Sequence, residues 1–464
     1  MKRLLLNLFA LAAASALLSG SAIAATKPNL IFINIDDLGY ADIGCFGGQK
    51  ARTPNVDRMA AEGMKFTSFY AAPVCTASRA SLMTGCYARR VSMPGVLTPA
   101  KVIGLGKDEM TIAEALKPLG YNTMIIGKWH LGDQPEFLPT RRGFDHYFGL
   151  PYSNDMDGSE KAKQGKMPPL PLMRDETVIE APAKQDELTA RYADEAVKFI
   201  TEHKDKTFFL YLPHTAVHSP HHPGAQFRGK SGHNNYIDWV EEVDWACGRV
   251  LDTVRELGLS ERTLVCFTSD NGGAGAANNL PLRGHKGTTW EGGVRVPFIA
   301  WWPGHVPQGS TGEMASMMDM LPTLVSLAGG TLSKERKIDG LDVSNLLLTA
   351  GARSRRDTFY YFQGGAEELQ GVRHGEWKYL ITPTKKASES KDGLRITFPA
   401  LFNLKEDIGE TTNVINDHPE VMITMKTLVD AMAADLGIDK KPGPGVRPCG
   451  KVEKARPLLL QTSN

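Results

Sequence analysis

The residues able to do chemistry fall into a few short clusters. Cys75 sits in Pro73-Val74-Cys75-Thr76-Ala77-Ser78-Arg79, just ahead of Ala80-Ser81-Leu82-Met83-Thr84-Gly85. Small residues after a proline, then helix formers and a closing glycine, predict a loop entering a short helix. The thiol then lies near a helix N-terminus with Arg79 about one turn further on, where backbone N–H groups and a guanidinium make an anion site. Asp36, Asp37, Asp270 and Asn271 offer only oxygen ligands, a set that suits Ca²⁺, or Mg²⁺, rather than zinc. Converging carboxylates without a counter-ion repel by ~4 kcal/mol per pair at about 4 Å, a penalty that a bound cation removes. Lys128 and His130 are two apart, so on an extended stretch they point the same way. His218 and Lys286 add cationic or proton-transfer groups. The glycines around Lys286, in Gly284-His285-Lys286-Gly287, let backbone approach a ligand closely. Taken singly, each cluster has a plainer meaning: a core thiol, a helix cap, a turn, a solvated surface charge. Their shared position along the chain is what joins them.

That position is set by the elements. Leu30–Ile35 runs into Asp36-Asp37, 264–268 into Ser269-Asp270-Asn271, 123–126 into Gly127-Lys128-Trp129-His130, and Phe208–Leu212 into His214 and His218. A further apolar run covers 298–302. Between the runs lie helical patterns: Thr53 is placed to cap a helix begun by Pro54 and closed by Gly63. Val240, Val243, Cys247, Val250, Val254 and Leu257 form an apolar stripe. Strands alternating with helices predict an α/β fold, a mostly parallel sheet with helices on both faces. In such sheets ligands bind outside the carboxyl ends of the strands, so the four clusters would face one crevice. Two long segments, Pro151–Pro182 and 215–235, read as loops bordering it. After about residue 350 the spacing changes to closely set strands (358–362, 371–373, 376–381) and a helix over His418–Leu436. This predicts a smaller α+β C-terminal domain with an antiparallel sheet, so that residues 25–350 and 351–464 form two units.

With 464 residues, 42% hydrophobic and 23% charged, the chain has ordinary globular composition. A net charge of +1 argues against nucleic acid as partner. Met1-Lys2-Arg3, an apolar run and Ala22-Ile23-Ala24 read as a signal peptide over residues 1–24, with an exported product, periplasmic or secreted. The apolar run is short for a membrane span, so no membrane association is expected after cleavage. The six cysteines are scattered without metal-ligand spacing.

With these residues in view, the chain resembles the formylglycine-dependent (type I) sulfatases, arylsulfatase-A-like, in the alkaline-phosphatase-like superfamily. The motifs are Asp36-Asp37-Leu38-Gly39-Tyr40, Cys75-Thr76-Ala77-Ser78-Arg79, Gly127-Lys128-Trp129-His130, Asp270-Asn271-Gly272 and Gly287-Thr288-Thr289-Trp290-Glu291-Gly292-Gly293. Asp407, Glu410 and Asn413 match the family's C-terminal Asp-x-x-Glu-x-x-Asn stretch. The resemblance implies that a maturation enzyme oxidises Cys75 to 3-oxoalanine (formylglycine). One hydroxyl of its hydrate attacks sulfur, and the other later expels sulfate. It also implies that the Cys75-derived group and Asp36, Asp37, Asp270 and Asn271 hold Ca²⁺, with Mg²⁺ the lesser choice. Arg79 and Lys128 would then hold the diol, and His130 would contact it and assist sulfate release. Lys286 would bind sulfate oxygens, His218 would protonate the departing oxygen, and Asp270 is a candidate to take the attacking proton. Pro151-Tyr152-Ser153-Asn154-Asp155 resembles a family loop near the sulfate, which makes Ser153 a candidate substrate contact. Ala77 stands where many relatives carry proline, a departure that leaves the maturation route open. The implied substrate is a sulfated saccharide or an aryl sulfate. The alternatives are a phosphate or phosphonate ester hydrolase of the same superfamily and an exported, non-catalytic binding protein.

Overall fold

The first strand shows how the main sheet is built. In β1 (Asn29–Ile35) every residue is buried. Leu30 and Phe32 join one apolar cluster, and Ile31, Ile33 and Ile35 join another on the opposite face. A strand apolar on both faces belongs inside a sheet covered on both sides. The structure, a computed structural model, describes residues 27–93, 95–364, 368–382, 396–438 and 441–461. The leader read over residues 1–24 lies outside the described residues. Among these residues no helix is long and apolar enough to cross a membrane.

In chain order the main strands are β1, β2 (Met64–Tyr70), β3 (Asn122–Ile126), β4 (His146–Gly149), β5 (Leu172–Arg174), β6 (Thr177–Glu180), β7 (Phe208–Pro213), β8 (Thr263–Ser269), β9 (Arg295–Trp301), β10 (Gly309–Thr311) and β11 (Ala315–Ser316). They form one eleven-stranded sheet in the order β10-β2-β9-β8-β1-β7-β3-β4-β5-β6, with β11 beside β2. The centre, β8-β1-β7-β3-β4, is parallel. Both flanks turn antiparallel: β9 opposes both of its neighbours, and β4, β5 and β6 alternate. Helix α2 (Cys75–Thr84) packs on one face through Ala77, Ala80, Leu82 and Met83. On the other face lie α1 (Pro54–Glu62), α3 (Leu188–Glu202) and α4 (Asn235–Glu256), whose stripe Val240, Val243, Cys247, Val250 and Val254 is buried as its spacing predicts.

Three local expectations change. The segment 151–182 is not all loop, because Leu172–Arg174 and Thr177–Glu180 pair as an edge hairpin. The segment is too short and too polar to show periodicity. Thr53 holds the N-cap position of α1, but its hydroxyl makes no bond to the helix backbone. It accepts instead from the Gly44 N–H at 2.8 Å and donates to Asp57 Oδ2 at 3.3 Å, the carboxylate being the stronger acceptor. The C-terminal meander has a fourth member: β12 (Thr358–Phe362), β13 (Leu369–His374), β14 (Trp377–Leu380) and β15 (Ala400–Asn403) run antiparallel in that order. Helix α5 (Pro419–Leu436) covers that sheet through Met422, Met425 and Val429. The chain end then returns to the large sheet's unit, where Gly450–Lys451 pairs with Ile103–Gly104.

Candidate active site

The turns after β1 and β8 lie side by side because those strands are parallel neighbours in register. The Asp270 N–H donates to Ile35 O at 2.9 Å, and the Leu38 N–H to Ser269 Oγ at 3.0 Å, which locks the two turns together. Asp37 adopts φ 61°, a left-handed conformation that aspartate tolerates. After β3, Gly127 has φ 127°, and a Cβ there would lie 1.9 Å from Pro213 O, so only glycine lets this turn press against the end of β7. The Lys128 N–H donates to Pro213 O at 2.7 Å and delivers the side chain to the same place.

The side chains converge as the spacing predicts. Arg79, fully buried, donates to Asp270 Oδ2 from Nε at 3.1 Å and Nη2 at 2.8 Å, and reaches Asp36 Oδ2 at 3.3 Å. Its Nη1 donates to Lys128 O at 2.5 Å. Lys128 Nζ pairs with Asp36 Oδ2 and donates to Ser153 Oγ at 3.1 Å. Lys286 Nζ lies 2.7 Å from Asp37 Oδ1 and 2.9 Å from Oδ2. Asn271 Nδ2 donates to Asp37 Oδ1 at 2.7 Å, and His218 Nε2 stands 3.7 Å from Asp37 Oδ2. Cys75 opens α2, buried, within the fields of Lys128, Lys286, Asp36 and Asp270; burial pushes its thiol pKa up, and the two lysines offset part of that.

Two expectations need correction. The carboxylates are not left to repel one another until a cation arrives, because Arg79, Lys128 and Lys286 already pair with Asp36, Asp37 and Asp270. Lys128 and His130 do not share an extended stretch, since His130 has φ 63°. His130 Nε2 bonds to Leu97 O at 2.9 Å instead.

The pairing nevertheless leaves two oxygens over. Asp36 Oδ1 and Asn271 Oδ1 are buried without a hydrogen-bond partner, a costly state for two oxygens. Asp36, Asp37 and His218 also bring ligand atoms within 4.8 Å of one another. Two orphaned oxygens beside a carboxylate cluster fit a hard cation such as Ca²⁺.

The protonation states follow from the surroundings. Burial would raise the Asp36 pKa, but Lys128, then His218, Arg79 and Lys286, hold it far below the usual carboxylate range. Burial and the Asp36 charge push Asp270 upward. Burial, Lys128 and Arg79 drive His130 well below the usual histidine value, so the ring is neutral. A neutral ring that donates from Nε2 to Leu97 O keeps Nδ1 as an acceptor, and that atom is buried and unpartnered. Burial also lowers His218, against the pull of Asp37.

One functional connection escapes the sequence. Glu291, from the Trp290-Glu291-Gly292-Gly293 motif, accepts from Lys378 Nζ at 3.0 Å, and Lys378 also pairs with Glu410 at 2.7 Å. The Glu291 N–H donates to Glu410 Oε2 at 2.7 Å. All three side chains are fully buried between the two sheets; Glu291 and Glu410 stand in motifs legible in the sequence, whereas Lys378, set among Trp377, Tyr379 and Leu380, does not.

Comparison with known proteins agrees with this geometry. The family profile for Sulfatase matches residues 28–330. Arylsulfatase A from Bos taurus is 40% identical over 436 residues, covering 86% of this chain and 85% of that one. N-acetylgalactosamine-6-sulfatase from Rattus norvegicus is 37% identical over 422 residues, covering 85% and 78%. The solved structure of Ps i-CgsB in complex with k-i-k-neocarrahexaose superposes with a TM-score of 0.77 at 30% identity, covering 88% and 93%. Matches of this extent, over a sheet whose strand ends gather the expected acids and cations, place the chain in the sulfatase family of the alkaline-phosphatase-like superfamily, as a sulfuric ester hydrolase.

Proposed function

We propose that the protein is an exported sulfatase that removes sulfate from sulfated saccharides through a formylglycine made from Cys75, with Ca²⁺ bound beside it. The observation that carries this is the placing of Cys75: a buried thiol, soft as a ligand, at the start of α2 among lysines, carboxylates and two unpartnered hard oxygens. An oxygen nucleophile fits that setting and a thiol does not. The hydrated formylglycine supplies that nucleophile, and Ca²⁺ supplies positive charge next to it. Asp36, Asp37, Asp270, Asn271 and the Cys75-derived group would hold the ion.

The chain's own residues do the rest. Arg79 bridges Asp36 and Asp270 and fixes both carboxylates. Lys128 and Lys286 place positive charge where the sulfate oxygens gain negative charge, and Ser153 accepts from Lys128 and orients it. His130 offers Nδ1 to a hydroxyl proton while Nε2 stays on Leu97 O. His218 donates from Nδ1 to Ser219 O at 2.7 Å, so Nε2 holds a proton only in the imidazolium form, which Asp37 at 3.7 Å favours against burial, and that proton would pass to the departing sugar oxygen. A preorganised donor is worth about 3–4 kcal/mol and acid–base help about 10²–10⁴-fold, so these groups must act together.

The saccharide class is supported by the names of the relatives, an N-acetylgalactosamine-6-sulfatase and a structure holding neocarrahexaose. Export is supported by the basic and apolar leader over residues 1–24, and the two-unit division at about residue 350 by the change of sheet type. The test is co-expression with a maturation enzyme, peptide mass spectrometry across Cys75, and sulfate release from a panel of sulfated oligosaccharides. An aldehyde at position 75 and release from at least one saccharide are expected. Full turnover by Cys75→Ala would sink the mechanism.

A further inference from the structure

Between the edge of the large sheet and the C-terminal sheet lies a cleft of about 580 Å³, in the size range of small-molecule sites. None of its lining residues belongs to the Cys75 cluster. It lies at the same end of the large sheet, since Arg295 begins β9, which runs antiparallel to β8. Two arginines form its floor. Arg295 donates from Nε to Thr67 O at 2.6 Å and from Nη1 to Glu291 Oε2 at 3.4 Å. Arg373 donates from Nε to Gly375 O at 2.9 Å and from Nη1 to Tyr70 OH, which in turn donates to Glu291 Oε2. Each Nη2 is left without a protein acceptor among the described residues. Both side chains are more than nine-tenths buried, so these donors face the cleft and little else.

The charges point the same way. The hydrogen-bonded chain through Glu291 holds two carboxylates, Glu291 and Glu410, against three cations, Lys378, Arg295 and Arg373. One positive charge is therefore unmatched, and it is held by guanidinium edges that suit an oxyanion. Arg356, also at the cleft, is already satisfied by Asp319. The rim carries exposed Asp357 and Glu376, which would repel a polyanion but accept hydrogen bonds from hydroxyls. A single oxyanion carried on a polyhydroxylated body matches floor, rim and volume together.

We propose that this cleft is a second, non-catalytic binding site for a sulfated sugar unit, its sulfate held by Arg295 and Arg373. The saccharide part rests on the proposed substrate class, whereas the oxyanion part does not. Crystals of the protein soaked in sodium selenate should show an anomalous peak against both guanidiniums, and a cleft without that peak overturns the proposal. In the matured enzyme, Arg373→Gln should raise KM roughly tenfold for a cleaved tetrasaccharide that bears one sulfate at each end and no carboxylates, leave KM for a small aryl sulfate unchanged, and abolish the selenate peak. Arg373→Lys, which keeps the charge but loses the fork, should fall between. Equal rises in KM for both substrates, or no rise with the tetrasaccharide while selenate still binds, assign the cleft to a structural or free-anion role and overturn the saccharide site. If Arg373→Gln fails to fold, the soaked crystals of the unaltered protein decide alone. Should no saccharide release sulfate, the substrate reading fails while the selenate experiment still reports on the cleft.

Discussion

His218 and Lys286 are the charged groups of the Cys75 cluster that reach the surface, with side chains 13% and 19% exposed, whereas Asp36, Arg79 and Lys128 are fully buried. On the proposed reading, His218 at the mouth meets the leaving oxygen, while Lys286 and the buried groups meet the sulfate. His218→Gln should therefore slow release of a sugar alcohol by about 10²–10⁴-fold, but slow a nitrophenyl sulfate, whose leaving group needs no proton, far less. Equal losses on both substrates would remove His218 from the acid role. The unpartnered oxygens of Asp36 and Asn271 predict a second result. Added Ca²⁺ should raise the melting temperature of the unmodified protein, and Asn271→Ala should remove most of that rise, read by thermal unfolding with and without a chelator.

Helix α4 carries a titration that lies away from the chemistry. Glu242 is buried; one oxygen accepts from the Gly224 N–H at 2.7 Å, and the other has no partner. Burial, only partly opposed by that bond, pushes its pKa from 4.5 up to about 7. The folded protein thus holds a proton that the unfolded chain has released between those values. The stabilisation is complete below the unfolded value and is lost as pH rises through the folded one, about 3 kcal/mol in all. Glu242→Gln should raise the melting temperature at pH 8 relative to the unaltered protein and give no gain at pH 4. A gain of equal size at both pH values would refute the account.

The two sheets are joined by the Glu291–Lys378–Glu410 chain and by an aromatic seam of Tyr70, Tyr87, Phe359 and Tyr361. Lys378→Met leaves Glu410 buried without a counter-charge and Glu291 with only the longer contact to Arg295, which should cost about 3–5 kcal/mol in chemical denaturation. Adding Glu410→Gln to that variant should recover part of the loss, because one stranded charge is removed. Additive losses would show that the three residues do not act as a unit. Since Glu291 stands five residues after Lys286, loosening this joint should also lower turnover, through the loop that aims Lys286 at Asp37.

Much of this was legible in the chain itself. The strands ending at Ile35, Ile126, Pro213 and Ser269, and Cys75 at the head of α2, follow from apolar runs bounded by polar clusters and glycines, which are local signals. The candidate site was legible for the same reason, since parallel strands bring their ends to one edge. The edge hairpin at 172–180 and the fourth strand at 400–403 were not, because strands of three or four residues are too short to show a period, and the antiparallel flanks were not, because strand direction depends on non-local pairing. The pairing of Arg79 with both Asp36 and Asp270, the orphaned oxygens, the Lys378 bridge and the Arg295–Arg373 cleft were decided only by tertiary structure. Each joins residues far apart in sequence, and whether a charge is paired, stranded or facing a cavity depends on what folding packs around it. Residue type and spacing determined the edge where the polar clusters gather, and the resemblance carried by their motifs implied the kind of chemistry; charge balance belonged to the packed molecule.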